Sequence, residues 1–349
     1  MANPILSKAR KLKNDEFYTR REDIEAELLH YKKFFEGKVV YCNCDDPASS
    51  EFWQFFVRVF HDWKIKKVMA THYEQDKKNY AYKLEITEDT NGDGRIDLLD
   101  EPTITQIPCN GDFRSAVCIE MLKEADIVVT NPPFSLIREY IAQLMEYDKK
   151  FLVIAPMNMV AYKEVFPLIK KNKIWAGFSF NKTMEFIMPD SYELKGKAYI
   201  DDNGKKHGFV PGICWWTNLE ITKRYDTLNL QGNYYNEKLY PKYDNYDAIE
   251  VSKVANIPCD YNGVMGVPIS FLDKYNPNQF EILGVTQSWC GIASKIYPRQ
   301  VQIDKSGKRK QVTKLNDGPA IRIDKPPINK TYYEVDGEMF IGICSHSYS

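Results

Sequence analysis

Short apolar runs alternate with helix-periodic segments over the first two thirds of the chain. Between residues 15 and 35, Ile24, Leu28, Leu29 and Tyr31 recur at helical spacing, with Thr19 as a candidate cap. Lys38 to Asn43 and Ile65 to Thr71 read as strands. Between them Glu51 to Asp62 reads as a helix with Phe52, Phe55, Phe56, Val59 and Phe60 on one side. A polar interruption from Glu74 to Asn110 holds a predicted hairpin, because Tyr80 to Ile86 alternates and Ile104 to Ile107 can pair with it. Helices are then expected over Ser115 to Lys123, Ser135 to Tyr147 and Val160 to Lys170. Strands are expected over Ile127 to Thr130, Phe151 to Ala155, Ile174 to Phe178, Met184 to Met188 and Gly212 to Thr217. Such alternation predicts an α/β fold, with a mainly parallel sheet covered by helices on both faces. After about Thr222, Tyr, Asn and Pro become frequent and helical periodicity fades. With 349 residues there is room for two domains, expected at 1–222, with an insertion at about 75–110, and at 223–349.

Three turns in this pattern carry candidate chemistry. The run Ala125 to Thr130 ends in Asn131-Pro132-Pro133-Phe134, where two prolines stop the strand and stiffen the turn. A carboxamide and a proline-locked carbonyl can both accept hydrogen bonds from one exocyclic amine, and Phe134 can stack on the ring that bears it. Open α/β sheets hold their ligands at this end of a strand. The plain alternative is an Asn-Pro turn. The first strand runs into Cys42-Asn43-Cys44-Asp45-Asp46-Pro47-Ala48-Ser49-Ser50 and then a helix. No GxGxxG is present, so a dinucleotide is disfavoured. Acidic residues in place of glycines argue against a phosphate and for a ligand with an amino group or positive charge. The same residues also fit a helix capped by Ser49 or Asp46. In Asn110-Gly111-Asp112-Phe113 an Asp beside a Phe suits an adenine amine and its ring, or a plain turn bent at Gly111.

Composition narrows these readings only a little. Hydrophobic residues at 44% and charged residues at 27% describe an ordinary globular chain with a sizeable core. The net charge of −1 means that a polyanion must be met by a local patch. Residues 295 to 330 offer one: ten basic residues, among them Lys295, Arg299, Lys308, Arg309 and Lys310, face three acidic ones, a local charge of +7. This suits phosphate contact, although Lys305 to Lys310 also reads as a solvated hairpin tip around Gly307. The eight cysteines are scattered and are expected to be reduced thiols in the cytoplasm. The basic stretch Met1 to Lys13 has no apolar core like that of a signal peptide, and no membrane span is expected. Asp89 to Asp100 fits a calcium-loop template with Gly94 at its sixth position. The twelfth position is Asp100 and not Glu, so a polar insertion loop without metal is expected.

Asn131 to Phe134, Asp112-Phe113 upstream and Phe17-Tyr18-Thr19 ahead of the first strand resemble adenine-directed amino-methyltransferases. From Asn14 to Phe134 the chain resembles the EcoRI-type adenine-specific DNA methyltransferases, and Gly266 to Pro277 is similar to the same family. The resemblance implies a Rossmann-like, S-adenosylmethionine-dependent methyltransferase sheet with a C-terminal target-recognition region. It also implies methyl transfer to the N6 amine of an adenine flipped out of duplex DNA. Asn131 and the Pro132 carbonyl would hold the amine, and Phe134 would stack on the base. Asp112 and Phe113 would bind the cofactor's adenine, Asp45, Asp46 and Ser49 its methionine end, and Phe17, Tyr18 and Thr19 would close that pocket. Glu74 is the candidate for the ribose. Double-stranded DNA is the expected partner, with a restriction endonuclease possible at the same site but no stable complex. The residues also leave open an RNA or protein-glutamine substrate, or an inactive DNA-binding relative.

Overall fold

The computed structural model describes residues 18–343, apart from 45, 49, 75–80, 190–192, 195 and 236. These residues form two compact units, 18–157 with 173–223 and 158–172 with 224–343.

The first unit opens with a short strand β1, Tyr18–Thr19, and a helix α1, Arg21–Leu28, which tightens into a 3-10 stretch at Leu29–Phe34. Thr19 therefore belongs to a strand, and Arg20 takes the N-cap position without a side-chain capping bond. Strand β2, Val39–Cys42, is buried along its whole length. Helix α2, Glu51–Val59, buries Phe52, Phe55 and Phe56 as its spacing predicts. Its cap is Ser50, whose side chain accepts from the Phe52 amide. Strands β3, Lys67–Thr71, β4, Tyr82–Ile86, and β5, Thr103–Gln106, follow. Next come helix α3, Ala116–Glu124, strand β6, Ile127–Thr130, helix α4, Ile137–Glu146, and strand β7, Lys150–Pro156. Strands β8, Trp175–Ala176, β9, Met184–Met188, β10, Tyr199–Ile200, β11, Lys206–Val210, and β12, Ile213–Thr217, complete the unit.

Eight of these strands form one sheet in the order β5-β4-β3-β2-β6-β7-β12-β8. The expectation of a mainly parallel sheet needs correcting. The central four, β3, β2, β6 and β7, pair in parallel, but β4 on one side and β12 on the other run against them, so that all four outer pairings are antiparallel. Burial falls off on one flank only. β2 and β6 are buried on both faces, β5 is exposed throughout and β4 only partly buried, whereas β12 and β8 on the other flank are as buried as the centre. From β2 the chain steps to β3 on one side and later returns to β6 on the other. The strand order thus reverses between β2 and β6. The expected helix from Val160 to Lys170 is also absent. A 3-10 turn, Met157–Ala161, and a single-turn helix α5, Phe166–Lys170, replace it, because Pro167 sits in the first turn and cannot lie inside a longer helix.

A second, antiparallel sheet runs β1-β9-β11-β10. Glu185 of β9 ties it together through Arg20 at 2.8 Å, His207 at 2.9 Å and Tyr199 at 2.7 Å. Helix α1 is fixed by Glu27, a carboxylate with no exposed surface. It accepts from Tyr31 at 2.9 Å, from the Phe178 and Ser179 amides at 2.6 and 2.8 Å, and from the Ser179 hydroxyl. No helix among the described residues is long and apolar enough to cross a membrane.

In the second unit, β13, Ile249–Glu250, pairs in parallel with β14, Met265–Gly266. Five antiparallel strands form its main sheet: β15, Gln300–Ile303, β16, Arg309–Val312, β17, Ala320–Ile323, β18, Tyr332–Val335, and β19, Glu338–Gly342. Their order is β16-β15-β18-β19-β17, around a core of Tyr297, Leu315, Ala320, Tyr333, Val335 and Phe340. Buried Asn245 locks the strand β17 edge by accepting from the Ala320 amide and donating to the Gly318 carbonyl.

Glu27→Ala takes their shared acceptor from two part-buried amides and two hydroxyls. The variant is expected to lose about 2–4 kcal/mol of stability. Urea unfolding of the two proteins measures this, and equal midpoints would refute the role given to Glu27.

Candidate active site

The reversal between β2 and β6 sets two loops side by side at the carboxyl edge of the sheet. Val40 pairs with Ile127 and Tyr41 with Val128, so both strands end at the same level. The Thr130 hydroxyl donates to the Asn43 carbonyl, and the Tyr140 hydroxyl of α4 donates to the Asn43 side-chain oxygen. Burial holds the Tyr140 phenol well above its ordinary pKa, so it remains a donor. Asn131 follows directly on β6 and is 7% exposed. Phe134 is 2% exposed and joins the large core cluster. Its ring is therefore a packing element as well as the expected stacking surface.

On the β2 side, Cys44 adopts a φ of 74°, a left-handed conformation that glycine takes without strain. A non-glycine residue there costs on the order of 1–3 kcal/mol. The turn thus makes its bend without the glycine pair that its sequence lacks. Asp46 Oδ1 accepts from the Ala48 amide and from the Tyr82 hydroxyl of β4, both at 3.0 Å. Burial, followed by the bond to Asp46, pushes the Tyr82 pKa up to about 12. The Tyr82 ring lies flat on His72, centroids 4.7 Å apart and planes 10° apart. The Glu74 amide donates to the Asn110 carbonyl at 2.8 Å, which joins the end of β3 to the loop ahead of α3.

That loop carries Asp112 and Phe113. Arg114 grips Asp112 through its backbone amide and two guanidinium nitrogens, at 2.7–2.9 Å, and holds the carboxyl below its ordinary pKa. Phe113 is buried and meets Tyr140 edge to face at 5.0 Å. The structure therefore gathers Asp46, Glu74, Asp112, Phe113, Asn131, Pro132 and Phe134 at the carboxyl ends of β2, β3 and β6 and in the loop before α3. Tyr18 and Thr19 belong to the smaller sheet, opposite Ile187 and Phe186. Phe17, Asp45 and Ser49 lie outside the described residues. Sequence reasoning missed Asn43, His72, Tyr82 and Tyr140. Asn43 stood in the quoted turn, but its partners come from β6 and α4. The roles of His72 and Tyr82 depend on the pairing of β3 with β4.

Two further stretches were singled out. In the loop from Asp89 to Asp100, Asp100 accepts from the amides of Thr90, Asn91 and Asp97, and Asp89 from those of Gly92 and Gly94. Among the described residues no three acidic, His or Cys side chains converge in a metal-binding group. In the basic stretch, Asp304 to Lys308 is the turn joining β15 and β16, with Gly307 at a φ of 81°. Arg299, Lys305, Lys308 and Lys310 are exposed. Arg309 pairs with Glu334, Lys295 with Asp244 at 2.6 Å, and Arg322 with Glu338 at 3.0 Å.

Gly111 is what allows the Asp112 loop to approach β3. Its φ is 77°, and a Cβ there would lie 1.9 Å from the His72 carbonyl oxygen. Gly37 has a φ of 69° but nothing within 4 Å of such a Cβ. Gly37→Ala is expected to cost about 1 kcal/mol of strain, and Gly111→Ala at least roughly twice that. Thermal unfolding compares the two, and equal losses would refute the close approach.

Comparison with known proteins extends the likeness to nearly the whole chain. The profile of a family described as adenine-specific methyltransferase EcoRI matches residues 5–329. The Escherichia coli type II methyltransferase M.EcoRI is 48% identical over 289 residues, covering 80% of this chain and 89% of its own. M.MgeORF184P of Mycoplasma genitalium and M.MpnI of Mycoplasma pneumoniae, also named type II methyltransferases, are 42% and 41% identical. Each covers 79% of this chain and 84% of its own length. No solved structure matches. With its proline-stiffened loop at the strand-order reversal and a family match of this extent, the chain belongs to the EcoRI family of adenine-specific methyltransferases.

Proposed function

We propose that residues 1–222 form the catalytic domain, with an insertion at about 75–110, and residues 223–349 the target-recognition region. Together they methylate the N6 amine of an adenine in a specific duplex DNA sequence, flipping the base to do so. The large sheet is read as a Rossmann-like methyltransferase sheet. One observation carries this reading: Asn131-Pro132-Pro133-Phe134 follows β6 at the strand-order reversal, beside the acidic turn after β2. The matched family is adenine-specific, which sets aside a glutamine amide as acceptor. We place the enzyme in the cytoplasm, with a cognate restriction endonuclease acting on the same site without a stable complex.

The family uses S-adenosylmethionine as methyl donor, and the donor set at the reversal fits it. The turn after β2 offers the Asp46 carboxylate where a phosphate site would offer glycine amides, and so suits an ammonium group. Asp112 and buried Phe113 suit an adenine amine and its ring. Asp45, Ser49, Glu74, Phe17, Tyr18 and Thr19 complete the proposed pocket. When bound, the cofactor supplies a methyl group already activated on sulfonium. The protein's own task is to make the adenine amine a nucleophile. An aromatic amine is poor in that role because its lone pair is delocalised into the ring. Asn131 and the Pro132 carbonyl accept its two hydrogens, return electron density to nitrogen and favour tetrahedral geometry. The prolines fix that pair of acceptors before the base arrives. Phe134 supplies the stacking surface. Lys295, Arg299, Lys308, Arg309 and Lys310 meet phosphates and position the duplex.

Asn131→Ala is expected to lower turnover by a factor on the order of a hundred or more, with cofactor affinity close to wild type. Labelled cofactor and unmethylated DNA measure the first and calorimetry the second. A normal rate would refute the catalytic assignment.

Replacing Lys308, Arg309 and Lys310 together with Gln should flatten the dependence of log affinity on log salt. Because a phosphate must compete with Glu334 for Arg309, the slope is expected to fall by about 1.8 to 2.7, two to three contacts' worth. Sequence preference should survive. A DNA-affinity series in salt decides it, and an unchanged slope would move the DNA-contacting surface elsewhere.

A further inference from the structure

We propose that Tyr82, on a hairpin of the insertion, is the positioning residue that aims the Asp46 carboxylate at the ammonium group of the cofactor's methionine end. The inference rests on the assignment of Asp46 to that end of the cofactor. The carboxylate torsion of an Asp is broad and roughly two-fold, so an unanchored carboxylate samples many orientations. At Asp46 two donors converge on a single oxygen, the Ala48 amide and the Tyr82 hydroxyl. The first belongs to the same turn. The second comes from another part of the sheet, 36 residues away.

The phenol is itself held in place. Its ring lies flat on His72 at the end of β3, and the His72 amide donates to the Tyr82 carbonyl at 2.9 Å. The register of β4 against β3, with Thr71 opposite Lys83, sets how far the hydroxyl reaches past the end of β3. Burial and the neighbouring carboxylate keep the phenol protonated, so it donates throughout the neutral range. The insertion hairpin thereby adds a part to the cofactor site that the central parallel strands cannot supply. A correctly aimed carboxylate acts on the ammonium group and not on the adenosine half of the ligand, and this separates a positioning role from general support of the pocket wall.

The test uses Tyr82→Phe, which keeps the ring and its stack on His72 and removes only the donor. Asp46→Asn serves as the reference variant. Calorimetry on the full chain, shown to be folded, measures affinity for two probes. One is S-adenosylhomocysteine, which carries the ammonium group. The other is 5′-methylthioadenosine, which lacks it. Tyr82→Phe is expected to weaken the first by roughly five- to twentyfold and to leave the second within about twofold. Asp46→Asn is expected to show the same selectivity, more strongly. Equal weakening of both probes by Tyr82→Phe would overturn the proposal and make Tyr82 a wall residue. Selective loss in Asp46→Asn with none in Tyr82→Phe would overturn it while leaving Asp46 in place. No selective loss in either variant would overturn the assignment of Asp46 itself.

Discussion

The site depends on one constraint: β2 and β6 must lie side by side, in parallel and in register, although 84 residues lie between the end of one and the start of the other. Both strands are buried on both faces, so hydrophobic burial alone would tolerate a shift between them. The polar groups at their carboxyl ends do not. The Asn43 carbonyl needs a donor where the ladder ends, and the Thr130 hydroxyl supplies it. Tyr140 takes the Asn43 side chain, so helix α4 is tied to the same point. A slip of one residue would break both bonds and carry Asn131 away from the acidic turn. The bonds that terminate the strands therefore also fix the distance between the loop proposed to hold the substrate amine and the turn assigned to the cofactor.

What the sequence reveals follows the range of the interactions involved. Ile127 to Thr130 and Met184 to Met188 form strands within the bounds that their apolar runs predict. Ser115 caps α3 and the phenylalanines of α2 face inward, because both depend on neighbours a few residues away. The β4–β5 hairpin was legible in the alternation of Tyr80 to Ile86, but the antiparallel course of β12 was hidden, since a buried run does not say which way its neighbour points. Thr19 looked like a cap because it precedes a helix, and the pairing of β1 with β9 overrode that local preference. The candidate site divides in the same way. Asn131 to Phe134 and Asp112-Phe113 announce themselves through local turn chemistry. Asn43 is defined by a tyrosine 97 residues away, and Tyr82 by a hairpin whose register no local pattern contains.

Charge shows the same limit in another form. The window from 295 to 330 sums to +7, but the acids that answer it lie outside that window. Asp244, Glu334 and Glu338 are brought to Lys295, Arg309 and Arg322 by the fold. The exposed lysines at the β15–β16 turn are then the strongest part of the patch. The pairs do not withdraw their cations from DNA altogether. Exposed ion pairs are worth only about 0–1 kcal/mol, and a phosphate can compete with Glu334 for a guanidinium that both can grip with two bonds.

The burial of Phe134 bears on how a flipped base reaches Asn131. A ring that is 2% exposed offers no open face to a purine. The loop cannot easily swing it outward, because Pro132 and Pro133 fix two consecutive backbone torsions and α4 begins three residues after Phe134. A face for stacking must come from displacing what packs against the ring. That displacement costs free energy, and the cost lowers the apparent affinity for the flipped base by the fraction of molecules that are open. It falls equally on every base that tries to enter. On the proposed assignment, a base recovers it only through an exocyclic amine that reaches the two acceptors at Asn131 and Pro132, which thymine lacks. On that assignment a closed aromatic shelf beside a rigid pair of acceptors would reject bases without such an amine before any methyl group moves.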